Sequence, residues 1–257
     1  MFPDLFSIGP LTIHTYGLFV AMGFTVGLLV MIRIGRTQGF SSQQIMDVGF
    51  LIILWAAIGS RLTFVLINFS YYKTHPIDIF KVWQGGLVFS GGLIAVVLGM
   101  SWYIRRHHLS FWKIGDLCGP AAAIGASIGR IGCFMAGCCY GKPTDLKWGV
   151  VFTHHQSLAP LNISLHPTQA YHSLTDLIIF VVLMVLHARK KFEGQVFLWF
   201  LILHSVARLL IERFRADDRG LIPGTDMSAT QLVATLILIA SVVMLFILKS
   251  RKEKKCG

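Results

Sequence analysis

The stretch "HTYGLFVAMGFTVGLLVMIRI", His14 to Ile34, contains no Asp, Glu or Lys, and its single Arg, Arg33, comes at the far end. A run of about 20 apolar residues matches the hydrocarbon core of a bilayer, so this stretch reads as a membrane-spanning helix. Six further runs of the same character follow, at roughly 48–68, 86–104, 114–129, 171–188, 195–214 and 230–249. The composition agrees: 54% of the 257 residues are hydrophobic and only 14% are charged, whereas soluble domains carry about 25%. The sequence therefore predicts an all-α integral membrane protein, a seven-transmembrane-helix bundle forming a single domain over residues 1–257.

The fourth run, "IGDLCGPAAAIGASIG" (Ile114–Gly129), is short and built of small residues, with Gly125 and Gly129 four apart. That spacing suits close helix packing within a bundle better than contact with lipid. Residues 130–170 are rich in turn formers and short alternating runs, and are expected to form a small extracytoplasmic subdomain. The opening "MFPDLFSIGP" has no basic segment ahead of an apolar core. It is expected to be retained, not cleaved as a signal peptide.

The net charge is +11. The basic residues gather in short clusters between apolar runs, which excludes a nucleic-acid-binding face and points to orientation signals and anionic lipid. Arg33/Arg36, Arg105/Arg106, Arg189/Lys190/Lys191 and the tail hold twelve Lys and Arg, and the opposite loops hold eight. By the positive-inside rule the N-terminus lies outside and the C-terminus in the cytoplasm.

Three ionisable residues stand out within the spans: Arg61 in "AAIGSRLTFVLI", and Arg208 with Glu212 in "LILHSVARLLIERF". Each must find a partner or a wet cavity. Arg208 and Glu212 are spaced to pair with each other along a helix. His204 extends the same face, so a polar cavity is the second reading.

Two glycine-rich stretches accompany these charges. "WQGGLVFSGGLIA" (Trp83–Ala95) surrounds Ser90 with Gly91 and Gly92, and "IGRIGCFMAGCCYGKPT" (Ile128–Thr144) carries Gly129 and Arg130. Glycines let backbone N–H groups approach a ligand, and a guanidinium holds phosphate through a planar fork of donors. Tight turns and helix packing are the alternative for the glycines alone. Cys133, Cys138 and Cys139 lack the paired C-x2-C spacing of zinc or iron–sulfur sites. A mixed site with His154, His155 and His166, a disulfide, an activated thiol and plain packing all stay open. No metal and no cofactor is predicted.

Several blocks together resemble the bacterial prolipoprotein diacylglyceryl transferases: "IGPLTIHTYGL", "GSRLTFVLIN", "YYKTHPIDIFKVWQGGLVFSGGLI", "IGRIGCFMAGCCYGKPT", "LHPTQAYHS" and "ARLLIERFRADDRG". Their order and spacing match over nearly the whole chain. The resemblance implies seven spans in the bacterial cytoplasmic membrane with the N-terminus outside. It also implies transfer of diacylglyceryl from phosphatidylglycerol to the lipobox cysteine of lipoprotein precursors, with loss of glycerol-1-phosphate. By the same resemblance Arg130 binds phosphatidylglycerol, Arg208 is the essential arginine of the later block, Glu212 is its acidic partner, and His14 and Tyr16 match the H-x-Y-G of the first span.

The chain departs from the family pattern at several positions. Ser90 stands where a histidine is usual, Cys133 where an asparagine is, Cys138 where a glutamate is, His204 where a tyrosine is and His172 where a glutamate is. The expected division of labour is that Arg130 and Arg208 clamp phosphate, Tyr16 hydrogen-bonds the headgroup, and His14, His204 or Glu212 takes the thiol proton. A catalytically silent or redirected paralogue that binds anionic lipid or lipoprotein precursors is the alternative.

Overall fold

The computed structural model describes residues 4–8, 11–81, 85–217 and 227–256. Trp83 and Gln84 of the first glycine-rich stretch, and Asp218, Arg219 and Gly220 of the last family block, lie outside the described residues. The chain is mostly helical: α1 Thr15–Thr37, α2 Ser42–Ile67, α3 Phe69–Thr74, α4 Phe89–Arg106, α5 Phe111–Ala136, α6 Thr168–Ala188, α7 Gln195–Glu212 and α8 Ala229–Cys256. Six of these, α1, α2, α5, α6, α7 and α8, are long and apolar enough to cross a bilayer. The third predicted run forms the 18-residue α4, which falls outside that group of six. The structure adds strands that helical periodicity does not reveal. β1 (Asp4–Ile8) pairs antiparallel with β2 (Leu11–His14), and the two-residue strands β3 (Val150–Val151) and β4 (Ser164–Leu165) pair likewise.

The chain divides into two compact units, one of residues 1–31 and 115–257, the other of residues 32–114. In the first, the sequence understates α5, which runs 26 residues through Pro120 and carries Arg130 within the helix. Its small residues serve packing: a Cβ on Gly23 of α1 would lie 2.7 Å from the Gly125 carbonyl, and one on Gly27 would lie 2.9 Å from that of Ala121. Gly129, four residues beyond Gly125, meets nothing within 4 Å. Ala123, Ile179, Leu183, Val196 and Ala207 bring α5, α6 and α7 into one buried core. Asp116 of α5 is fully buried and accepts from the backbone N–H groups of Gly194 and Phe197. A carboxylate from another helix thus satisfies amides that the first turn of α7 would otherwise leave unpaired.

Between α5 and α6, Phe152, Ala159 and Leu165 form a small hydrophobic cluster, with Tyr140 and Val150 packed against them.

In the second unit, α2 begins with a capping box in which Ser41 and Gln44 satisfy each other's backbone N–H groups. It then packs on α4 through facing small residues. A Cβ on Gly59 would lie 2.6 Å from the Gly91 carbonyl, and one on Gly91 would lie 2.8 Å from that of Gly59. Gly59→Val should therefore force these helices apart at a cost of about 1–3 kcal/mol, read as a lower Tm of the detergent-solubilised protein. Gly17→Ala, where nothing lies within 4 Å, should leave the Tm unchanged.

Candidate functional site

Arg208, in the interior of α7, is the charge around which the first unit's polar groups gather. Its Nη2 lies 2.9 Å from Glu212 Oε2, and its Nη1 lies 3.2 Å from Nε2 of His172 on α6. A guanidinium only donates, so His172 Nε2 accepts and the ring proton sits on Nδ1. Glu212 also accepts from the hydroxyls of Ser228 and Thr230, at 3.0 and 2.7 Å, which ties the start of α8 to α7. The pairing that the spacing of Arg208 and Glu212 predicts is present. His204, one turn before Arg208, turns to α6, where its Nδ1 lies 2.9 Å from Oδ1 of the buried Asp176. In that contact the Nδ1–H donates to the carboxylate oxygen.

The thiols come next. Gly137 (φ 76°) and Cys139 (φ 61°) are both left-handed, turning the chain sharply at the end of α5. The first turn of α6 fixes this bend: Gln169 Nε2 donates to the Cys138 carbonyl at 2.8 Å and Thr168 Oγ1 to that of Cys139 at 2.7 Å. The Sγ atoms of Cys133, Cys138 and Cys139 lie within 4.8 Å of one another, and none of these residues is in a disulfide. Residues 140–142 then run beside the end of α7, with Lys142 N donating to Phe214 O and Ala216 N to Tyr140 O. That pairing brings Arg215, nearly fully buried and held by both carboxylate oxygens of Asp217, beside Cys139. Hydrogen bonds from the Cys133 and Cys138 thiols, and then the Arg215 guanidinium, hold the Cys139 thiol well below the usual range.

Tyr16 and His14 line a cavity of about 480 Å3 together with Asp4, Ala136, Cys138, Gln156 and Leu158. His14 Nδ1 is 2.6 Å from Asp4 Oδ1. Arg130 is half-buried and within electrostatic reach of Tyr16, Cys133 and His172. His172 in turn feels Arg130, Arg208 and Arg215. Within the first unit, Arg130 is thus within electrostatic reach both of His172, the partner of Arg208, and of Tyr16 at the cavity.

Of the remaining candidates, Gly129 lies on α5 of the first unit, and Arg61, Ser90, Gly91 and Gly92 belong to the second. Arg61 is almost fully buried, donates to the carbonyls of Asp78, Ile79, Lys81, Gly85 and Gly86, and lies over the rings of Phe64 and Tyr72. Gly91 and Gly92 sit in the α2–α4 contact, and Ser90 is exposed. This geometry gives Arg61 the work of holding a loop and the two glycines the work of helix packing.

Sequence reasoning missed Asp176, Arg215, Thr168 and Gln169, and it treated His172 only as a departure. Asp176 left a signal, since it is the one carboxylate in the apolar run from Leu174 to Leu186. Arg215 left none, because the pairing of residues 140–142 with 214–216 is a tertiary event.

Comparison with known proteins bears on this region. A family model for prolipoprotein diacylglyceryl transferase matches residues 3–247. The phosphatidylglycerol–prolipoprotein diacylglyceryl transferase of Geobacter sulfurreducens is 32% identical over 256 residues, covering 97% of this chain and 96% of the relative. Proteins of that name from Clostridium tetani and Bordetella avium are 31% and 35% identical, each over 98% of this chain and over 100% and 96% of their own length.

The thiol-bearing turn should depend on its two side-chain donors. Thr168→Val with Gln169→Leu removes both side-chain donors from these carbonyls, each lost hydrogen bond costing about 0.5–1.5 kcal/mol. Limited proteolysis should then cut within residues 137–160 at least tenfold faster than in the parent protein; an unchanged rate would mean the turn is held by other contacts.

Proposed function

The chain belongs to the prolipoprotein diacylglyceryl transferase family, and on that premise we propose that it transfers diacylglyceryl from phosphatidylglycerol to the cysteine thiol of lipoprotein precursors. The observation that carries the reading is the Arg208 guanidinium, held inside an apolar helix by Glu212 on one side and His172 on the other. It is aimed and nearly dehydrated, which is the condition under which a fixed cation stabilises a developing phosphate charge most strongly.

The reaction forms one bond and breaks one. The thiol sulfur attacks the glyceryl carbon that bears the phosphate ester, forming the thioether. The carbon–oxygen bond breaks, and glycerol-1-phosphate leaves with its electron pair. Arg208 and Arg130 stabilise that charge, and Tyr16, beside the cavity, hydrogen-bonds the headgroup. His204 takes the thiol proton on Nε2, with Asp176 holding the ring and compensating the imidazolium. Glu212, already engaged by Arg208, Ser228 and Thr230, positions the arginine. His14 lies against Asp4 and is the weaker choice of base.

The protein is read as a multi-pass component of the bacterial cytoplasmic membrane, with α4 as the seventh span, the N-terminus outside and residues 137–167 as an extracytoplasmic subdomain. The charge distribution of the loops supports that orientation, and the close packing of α4 on α2 supports counting α4 among the spans.

The test uses purified protein in phosphatidylglycerol micelles with a lipobox peptide, following glycerol phosphate release and peptide mass. Arg208→Ala or Arg130→Ala should lower kcat by about 10²–10³-fold. His204→Ala should lower it by about 10²–10⁴-fold, and Asp176→Asn by less, with an altered pH profile. Lipid binding without a diacylglyceryl mass on the peptide would favour a silent or redirected paralogue, the reading that Ser90, Cys133 and Cys138 favour. Near-normal activity in either arginine variant would overturn the phosphate clamp.

A further inference from the structure

We propose that Cys133, Cys138 and Cys139 form a three-thiolate binding site for a soft, thiophilic d10 metal ion of the zinc, cadmium or copper(I) class. The proposal does not depend on the transfer reaction, and rests on the geometry of the cluster and its surroundings.

The distances fit. A metal bound to three thiolates at about 2.3 Å requires sulfurs about 3.8–4.0 Å apart. The three Sγ atoms lie within 4.8 Å of one another, so rotation about the side chains brings them onto one ion without moving the backbone. Among the described residues this is the only group of three or more potential metal ligands so placed. His154, His155 and His166 take no part in it.

The turn that carries two of the ligands is built to stay as it is. Gly137 cannot carry a side chain, since a Cβ there would run into Ser157 Oγ and the strand of backbone at Leu158. Cys139 is held at φ 61°, a conformation rare for a residue with a side chain. The buried Thr168 and Gln169 pin the carbonyls of Cys139 and Cys138. Cys133 arrives from the last turns of α5, and the Cys138 thiol is aimed at its carbonyl oxygen, 3.7 Å away. Ligand residues fixed before the ion arrives lose little entropy on binding it.

Charge and access also fit. Three thiolates around a divalent ion carry a net charge of −1, and around a monovalent ion −2. Arg215 stands beside Cys139, and Arg130 lies within reach of Cys133. Cys138 lines the 480 Å3 cavity, which supplies an entry path and leaves the fourth position open to water or another donor. Binding is ligand exchange without oxidation or reduction: each thiol loses its proton to solvent as its sulfur takes the metal.

The experiment titrates Cd2+ into the reduced, detergent-solubilised full chain while recording thiolate-to-metal charge transfer in the ultraviolet. One equivalent should saturate the band. Cys133→Ser, Cys138→Ser and Cys139→Ser should each abolish or shift it, while a Cys118→Ser/Cys256→Ser variant keeps it. Arg215→Gln should weaken binding by about tenfold. In the unaltered protein, Cd2+ should protect the three cluster cysteines from alkylation, mapped by mass spectrometry, and leave the reactivity of Cys118 and Cys256 as it was. Absence of the band, its loss in the Cys118/Cys256 variant, failure of protection, or a disulfide within the cluster that survives reductant would each overturn the site.

Discussion

A positive charge buried inside an apolar helix must be answered by its neighbours, and Arg208 sets the arrangement of the first unit. On insertion scales a mid-helix charge costs about 2.5–3.5 kcal/mol. Three helices share the answer. Glu212 comes from the same face of α7, His172 from α6, and Ser228 with Thr230 secure Glu212 from the start of α8. Apolar helices in lipid have little preference for one register over another. The Arg208 network supplies one, because a slide by a single turn would separate Arg208 from His172 and Glu212 from Ser228 and Thr230.

The same registration places the rest of the polar region. With α6 fixed against α7, Asp176 falls opposite His204, one turn from the Arg208–His172 contact. The first turn of α6 then lies where Thr168 and Gln169 reach the carbonyls of Cys139 and Cys138. Chain leaving that turn runs along the end of α7 and brings Arg215 with it. A charge in a helix, a carboxylate–histidine pair and a cluster of thiols are consequences of one packing arrangement.

What the sequence revealed, and what it hid, follows from the range of each interaction. Apolar runs are local, so α1, α6 and α7 were legible to within about three residues at each end, while α2 begins six residues earlier and α8 ends seven residues later than their apolar runs. α5 was read as ending at Gly129 because its Gly, Ala and Ser look weak against lipid. Its real partner is the glycine face of α1, a tertiary contact. Arg130, Arg208, Glu212 and His204 were legible as charges or polar groups out of place. Arg61 looked equivalent to them, yet its acceptors are backbone carbonyls, which leave no trace in side-chain identity. The convergence of the cysteines was hidden for a related reason. The x4 spacing places no two of them as a standard ligand pair, and their convergence depends on two left-handed residues and on α6.

The departures from the family pattern then acquire a common physical meaning. A thiol is a weak hydrogen-bond donor, much weaker than the amide of asparagine. With Cys133 in place of an asparagine, the holding of an anion in this region falls to Arg130, Arg208 and Arg215, all within reach of His172. Those guanidiniums favour any negative charge that enters, whether phosphate or thiolate. Arg215 is already committed to Asp217 and to the Cys139 sulfur, and Arg208 to Glu212. Arg130 is the arginine of the three that no carboxylate holds among the ion pairs of the described residues. A thiolate cluster loaded with metal is a fixed anion beside it, and would compete with a phosphate headgroup for the same positive field. The proposed soft-metal site would therefore also couple its occupancy to the binding of anionic lipid.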